Sequence, residues 1–444
     1  MHVAAPPDDE QLFIDIDASR LLEVMQVVAA VGPRQDYVHW DKLRHLTPPG
    51  DITREEWWQA IKMRRSPSDL ALVDPSGRPF TYSTPPSAQR LLHFIDQHCG
   101  GEIAMPEVVT TDEQARHRYL VSSLMEEAIR SSQLEGATTS RRVAKELLRS
   151  GRVPTDRSEL MILNNYRALE FMRDGMGETL TPDLVMTLQG ILTKDTLDDP
   201  SAAGRLQTSD EERVVVLDAT DRSIVHTPPP AEQLLQRMQA MCDFANGKDD
   251  DDSGGFIHPV LRGILLHFWL AYDHPFLDGN GRTARALFYW YMRTQKYWLV
   301  EYLSLSRVIR SAPAKYGKAF LLTETDHGDT TYFLLHQLEV IQRAVDELHV
   351  YLNRKVREVR EIERLIKGSA GFNHRQLALL ADASRHPENV YTYQSHASSH
   401  RVTHETARAD LLQLRERGLL QRRKAGRRHA YSAVPDLPKA LQEF

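Results

Sequence analysis

Between residues 274 and 285 the chain reads HPFLDGNGRTAR, which puts an imidazole, a carboxylate, two glycines flanking an asparagine, and two guanidiniums into twelve residues. Gly279 and Gly281 permit backbone conformations that other residues avoid, and they stand just before an expected helix start at Thr283. Several N–H groups can therefore converge there on one anion, and phosphate suits such a nest. Asp278 is a hard oxygen ligand able to hold Mg²⁺ between phosphate oxygens, and Asn280 adds an amide donor. Arg282 and Arg285 are three positions apart on one helical face, a spacing that clamps outer phosphates. His274, at the opposite rim, is placed to take a proton from an attacking hydroxyl. These are the parts of a transferase acting on a nucleoside triphosphate.

Other chemistries fit less well. An EF-hand loop requires an oxygen ligand where Arg282 stands and an acid where Tyr289 stands. No GxxxxGK[ST], HExxH or GxSxG occurs in the chain. A plain glycine turn between helices would account for the glycines but not for the histidine, aspartate and arginines. Cys99 and Cys242 have no metal or redox spacing and read as reduced packing residues. His258 and His267 have no Cys or His partner at metal spacing, so packing or hydrogen bonding is expected of them. Trp40, Trp57 and Trp58 read as packing residues for the same kind of reason, their large buried area.

The loop must be held by its flanking elements. The run 259-PVLRGILLHFWLAYDHPF-276 is apolar on nearly every face, so it predicts a buried helix that delivers His274 into the loop. From Thr283 a second helix carries Leu287, Phe288 and Tyr291 inward. Upstream, Thr111 and Asp112 are caps for a helix over 113–136 with Leu120, Leu124, Ala128 and Ile129 as its apolar stripe and Gly136 as its stop. Further helices are predicted over 156–173 and 182–192. The run 213-RVVVLDATDRSIVHTPPP-230 predicts a hairpin turning at Asp221 and Arg222. The stretch 247-GKDDDDSGG-255 reads as a solvated linker. The first hundred residues alternate short helical patterns with turns, including a helix start at Thr53 with Glu55 and Glu56 in its first turn.

A length of 444 residues with 41% apolar content allows two or three domains with real cores. The chain has no run of 18 apolar residues and no basic-then-apolar start, so neither a membrane span nor a signal peptide is expected and the cytoplasm is the default address. The net charge of −6 hides an asymmetry, because residues 401–444 hold ten Lys/Arg against five Asp/Glu and leave −11 on the rest. A basic tail on an acidic body points to an anionic partner, with nucleic acid first. A charged connector over 345–368 precedes a segment, 373–434, that ends in a helix, Gly418, two leucines and a short basic hairpin around Ala425 and Gly426. This order of parts resembles a winged helix-turn-helix. Thr403 would cap its recognition helix, Arg408 and Arg415 lie among that helix's polar positions, and Arg422, Arg423, Lys424, Arg427 and Arg428 fall on the wing.

The 274–285 stretch matches HxFx[D/E]GNGRxxR at His274, Phe276, Asp278, Gly279, Asn280, Gly281, Arg282 and Arg285, and on these residues the chain resembles the Fic family. Its helical surroundings from about 111 to 340 resemble that family's all-α core, and 204–230 is similar to its β-hairpin flap, which pairs with an extended target segment. The expected fold is therefore mainly α, a Fic-type helical core with a hairpin flap plus the C-terminal winged helix-turn-helix. The expected domains are 1–110, 111–344 and 345–444.

The resemblance implies AMP transfer from ATP to a Ser, Thr or Tyr hydroxyl of a protein, with Mg²⁺ or Mn²⁺. It makes His274 the general base, Asp278 the metal ligand, the backbone from Gly279 to Gly281 with Asn280 the anion hole, and Arg282 and Arg285 the partners of the distal phosphates. Phe276 becomes a hydrophobic anchor, and for Tyr316 a place near the adenine and ordinary helix packing are both open. The upstream 131-SSQLEG-136 fits the family's inhibitory pattern [S/T]xxxE[G/N] at Ser131, Glu135 and Gly136, in which the glutamate pairs with the second arginine and displaces the γ-phosphate. The same groups imply removal of AMP as a reverse activity, with Glu135 orienting a water. A DNA-binding regulator that uses the pocket as a nucleotide sensor, and a transferase with another donor, are the alternatives. Expected partners are ATP and a protein target with a hydroxyl side chain, the chain itself being one candidate; for the C-terminal module DNA and a docked protein are both open, a homodimer is left open, and no membrane partner is expected.

Overall fold

The structure is a computed structural model that describes residues 2–7, 18–30, 37–100, 113–174, 177, 179–218, 222–247, 255–368, 371–385, 389–400, 402–425, 428–435 and 437–441. It divides into two compact units, one over Met1–Ala104 and Asp112–Asp346, the other over Glu347–Phe444. The chain is mainly α, and the strands among the described residues form three two-stranded antiparallel sheets.

At the centre of the first unit the Pro259–Asp273 helix is buried along nearly its whole length, as its unbroken apolar run requires. His258 caps it through its ring, Pro259 opens it, and His274 ends it in the left-handed conformation at φ 46°. It packs against the Asn280–Thr294 helix, which in turn meets Pro182–Thr193 and Arg157–Asp174. The Glu113–Leu134 helix lies against Arg157–Asp174 and Leu305–Ser311 and ends just before Gly136, whose φ of 92° stops it.

The helix expected from Thr283 begins three residues earlier, at Asn280. The cause is Gly279, which adopts φ 86° and serves as the N-terminal cap, so that Asn280, Gly281 and Arg282 form the first turn rather than a loop before it. The flap is present as Val216–Leu217 paired with Ile224–His226. Arg222 sits near its turn at φ 59°, while Asp221 and the 248–254 part of the aspartate-rich stretch lie outside the described residues.

The reading of the first hundred residues as short helical patterns omits a hairpin, Ser68–Val73 with Pro79–Tyr82. Its turn is made by Asp74, whose Oδ1 accepts from the amides of Ser76 and Arg78. Such an Asx-type turn holds two short strands too brief to show a clear alternation. The Arg54–Arg64 helix starts as expected, with Thr53 and Glu56 forming a reciprocal capping box. Trp57 and Trp58 are buried with Val24, Val28, Leu43 and Ile52, which is the packing role expected of them. Cys99 and Cys242 are both buried and not joined in a disulfide. Among the described residues no helix is long and apolar enough to cross a membrane.

The second unit contains the helices His374–Arg385, Tyr393–His400 and His404–Glu416, then the hairpin Leu420–Ala425 with Arg428–Ala433. Its own core joins Leu380, Leu411, Leu414, Leu419 and Tyr431. A buried carboxylate, Asp410, ties its helices by accepting from Asn373 Nδ2, Arg375 Nε and His396 Nε2. Thr403 caps the third helix through the amide of Thr406, as expected.

Candidate active site

The 274–285 loop is rigid because its own side chains tie it. Asn280 Oδ1 accepts from Phe276 N at 2.9 Å and its Nδ2 donates to Phe276 O at 2.7 Å, so one amide closes the loop on itself. Phe276 is fully buried beneath it. Asp278 Oδ1 accepts from Gly279 N at 2.5 Å and from Arg282 Nη2 at 3.2 Å. The first intrahelical bond runs from Thr283 N to Gly279 O, which leaves the amides of Asn280, Gly281 and Arg282 ahead of it without helical partners. These amides and the positive end of the helix dipole form the nest expected from the glycines.

The two arginines have different partners. Arg282 is fully buried, donates from Nη1 to Leu192 O, and leaves its Nε buried without a partner. Arg285 turns to the Glu113–Leu134 helix and the turn that follows it. Its Nε donates to Ser131 Oγ at 2.9 Å, and its Nη2 donates to Ser131 O at 3.1 Å and to Glu135 Oε1 at 2.8 Å. Glu135 keeps 31% of its side chain exposed, against 5% for Arg285. Burial works against both charges, and the pair overrides it: Arg285 holds the Glu135 carboxyl below its ordinary range, and the Arg285 guanidinium is raised in return. A Cβ on Gly281 would fall on Glu135 Oε1, so this glycine leaves room for the carboxylate directly over the loop.

His274 is pushed down to about 4, mainly by burial, with Arg213 and His226 adding to the effect and Glu135 opposing it. Its ring is therefore neutral near pH 7 and free to accept a proton. Its Nδ1 lies 3.3 Å from Ala271 O, which gives that nitrogen the hydrogen and leaves Nε2 as the accepting atom. Tyr316 meets His267 Nε2 at 2.9 Å. Burial pushes that phenol up to about 12 and His267 down to about 3, with the nearby Arg285 acting on both.

Residues 179–292 match the Fic/DOC family. The chain carries a Fic domain. Among curated proteins, the protein adenylyltransferase Fic of Nematostella vectensis is 31% identical over 121 residues, 27% of this chain and 26% of that protein. The protein of the same name from Drosophila willistoni is 40% identical over 62 residues, 14% of this chain and 12% of that protein. The chain thus spans about a quarter or less of the length of these relatives. The solved structure of a Fic family protein from Desulfovibrio desulfuricans G20 overlays with a TM-score of 0.52 at 18% identity, covering 79% of this chain and 96% of that one. At that identity the likeness concerns the fold.

Within the Fic domain, several residues that hold the loop escape a reading of the sequence. Arg213 donates to Asp273 O at 2.9 Å, to His274 O at 3.3 Å, to Pro229 O at 2.9 Å and to Gln207 Oε1. It thereby fastens both ends of the flap segment to the carbonyls at the end of the Pro259–Asp273 helix, where a cation also suits the dipole. Gln189, fully buried, donates to Asp278 O at 2.9 Å and accepts from Gly204 N at 2.6 Å. Its only signal was a polar side chain on the apolar stripe of TLQGILT. Arg213 had none, since an arginine before a strand is ordinary.

The Fic loop also fits a divalent cation. Asp278 Oδ1 is taken by Gly279 N and Arg282, while Oδ2 faces the exposed Arg157 at 3.8 Å and the side chain is 35% exposed. No group of three His, Cys, Asp or Glu suited to a metal occurs among the described residues. One open carboxylate oxygen beside a phosphate nest is the donor set that Mg²⁺ uses when substrate phosphates and water complete its shell.

Of the basic residues named for the second unit, Arg408 and Arg422 are exposed. Arg423, Lys424 and Arg428 stand on the hairpin strands, but their side chains, and Arg427 altogether, lie outside the described residues.

Proposed function

We propose that the chain transfers AMP from ATP to a Ser, Thr or Tyr hydroxyl of a protein, and that Glu135 restrains the transfer. The observation that supports this most is the convergence on one loop of a neutral His274, the three first-turn amides, the unpaired Nε of Arg282, and Arg285 held by Glu135. The name protein adenylyltransferase carried by the relatives points the same way. The target segment enters beside the flap, whose edge exposes Leu217 and Ile224. His274 takes the hydroxyl proton as that oxygen attacks the α-phosphorus. The bond from phosphorus to the bridging oxygen breaks, and pyrophosphate leaves toward Arg282 and Arg285. The first-turn amides meet the charge on the transferred phosphate, so positioning and fixed dipoles supply most of the rate. A Mg²⁺ held by Asp278 would neutralise phosphate charge. Tyr316 lies close to Arg285 and Glu135, and we assign it to the wall on the adenine side.

Incubating the Glu135→Gly protein with labelled ATP and a lysate tests the reading, and mass spectrometry of the labelled protein identifies the transferred group. A folded variant that labels neither itself nor any lysate protein would overturn it; a group other than AMP would keep the transferase and change its donor. The reverse activity predicts AMP release from a modified target by the wild type, and its absence removes that extension.

The second unit supports an additional role. Three helices followed by a basic hairpin, with Thr403 capping the third, fit a winged helix-turn-helix whose recognition helix is His404–Glu416. Domain limits of 1–110, 111–344 and 345–444 and a cytoplasmic location belong to the same proposal. Binding to duplex DNA that weakens with salt and disappears when Arg422, Arg423, Arg427 and Arg428 become Ala would support a DNA partner held by the hairpin; no binding by the wild type would overturn it, and binding unchanged in the variant would remove the hairpin from the contact.

A further inference from the structure

A cavity of about 210 Å³ lies between the Ser68–Tyr82 hairpin and the end of the Pro313–Thr325 helix, lined by Asp74, Arg78, Phe80, Tyr272, Glu324 and His327. None of these is a residue of the Fic loop. Tyr272 forms its inner wall, only 6% exposed, and among the described residues its hydroxyl has no hydrogen-bond partner. The ring is packed away while the hydroxyl opens on the cavity, so this donor and acceptor is available to a ligand there.

The two carboxylates at this wall each have an oxygen to offer. Asp74 uses Oδ1 for its own turn, and Glu324 uses Oε2 for His226 Nδ1 at 2.9 Å. Both charges act on the Tyr272 phenol, which burial above all, and Glu324 after it, keeps protonated. At the mouth stand the exposed Arg78 and His327, 2.9 Å apart. The inner end thus offers anionic acceptors, a phenol and the ring of Phe80, a setting for an organic ammonium. The mouth offers a guanidinium, a setting for an anion. The volume falls below the roughly 300–1,000 Å³ of pockets for drug-sized molecules, which limits the ligand to about the size of an amino acid.

We propose that this cavity binds a small zwitterion of the amino-acid class, with its primary ammonium at Asp74, Tyr272 and Glu324 and its carboxylate at Arg78. Occupancy is felt at the Fic loop through His226, the last residue of the second flap strand. That ring meets Glu324 with Nδ1 and the Tyr272 carbonyl with Nε2, at 2.9 and 2.7 Å. The ring thus ties the end of the flap strand both to the Glu324 carboxylate and to the backbone at Tyr272. A ligand ammonium competes with His226 for Glu324, and the strand end and the backbone two residues before His274 respond together. The effect on transfer rests on the proposed adenylyltransferase reading; the binding itself does not.

The experiment titrates the 444-residue chain with each of the twenty common amino acids by calorimetry and by melting temperature, without ATP. The expected result is saturable one-to-one binding of at least one of them, weakened tenfold or more in Glu324→Gln and Tyr272→Phe, and also in Arg78→Met, a surface change that leaves the fold intact. N-acetylation and methyl esterification of the bound amino acid should each cost tenfold or more. No binding at millimolar concentration, or binding that these variants leave unchanged, overturns the proposal. Equal binding of the methyl ester overturns the zwitterion and leaves a plain ammonium site. A protein that binds an amino acid but labels no target retains this inference and loses the transferase reading.

Discussion

Glu135 and Arg285, 150 residues apart in sequence, meet at 2.8 Å, and the Glu135 carboxylate lies directly over the Cα of Gly281. Ser131 holds the same guanidinium from one turn earlier, through its hydroxyl and its carbonyl. Arg285 therefore cannot face an outer phosphate and keep this pair at the same time.

Replacing Glu135 by Gly should release Arg285 and raise labelling from ATP. A hydrogen bond between charged groups contributes about 1.5–3 kcal/mol, which corresponds to roughly a ten- to hundredfold gain. Initial rates of labelling for wild type and variant check this, and equal rates would show that Glu135 does not restrain the enzyme. The variant should also melt lower, because Arg285 stays buried with less pairing.

Activity should keep its acid limb low. With His274 at about 4, the neutral base persists well below the ordinary histidine range, so kcat/KM of the Glu135→Gly protein should fall only as the pH approaches about 4. Stability follows the same sign. A folded value below the unfolded 6.5 means that the unfolded chain binds more protons between those values, so stability is full above about 6.5 and declines as the pH falls to about 4. His267, at about 3, adds to that decline. A pH–rate profile with an acid limb near 6.5 would contradict a buried neutral His274. His274→Ala should lower transfer roughly 10²–10⁴-fold while ATP binding remains.

Gly279→Ala should cost more than an ordinary glycine change. The residue sits at φ 86°, and its Cβ would come within 2.9 Å of Thr193 Cγ2. Left-handed backbone alone costs a non-glycine residue about 1–3 kcal/mol. The loop should lose its cap, and ATP binding measured by calorimetry should weaken; a variant with wild-type affinity and melting temperature would show that the cap geometry is unimportant.

Arg213 should behave as a positioning residue for His274. Arg213→Met removes the donors on the Asp273 and His274 carbonyls, so kcat should drop roughly tenfold or more with a smaller change in KM for ATP. Arg213→Lys should restore part of kcat by returning a cation to the helix end. An unchanged kcat in the Met variant would remove Arg213 from this role.

Much of this site was legible before any coordinates. HPFLDGNGRTAR announces a phosphate nest because glycine, carboxylate and arginine chemistry is carried by residue type and short spacing. The helices on either side follow from continuous apolar runs, whose burial is a local property of the chain. The flap was readable as two β-type runs for the same reason, and the pairing of Glu135 with Arg285 was an expectation drawn from the family resemblance that the contact at 2.8 Å meets.

The remainder depended on contacts between residues distant in sequence. The helix expected from Thr283 starts at Asn280, because Gly279 takes φ 86° and caps it with its backbone, which residue type alone does not specify. Arg282 and Arg285, equivalent by spacing, separated because Leu192 and Ser131 belong to helices that spacing along the loop does not reveal. Asn280, which reads as a phosphate donor, is also the clasp of its own loop. Arg213, Gln189 and the unpaired hydroxyl of Tyr272 acquire their roles only when the flap, the loop and the N-terminal hairpin come together. Residue chemistry and periodicity are local and can be read in order along the chain, whereas the choice of partner for a buried polar group is made by packing, where desolvation penalises every donor or acceptor left without one.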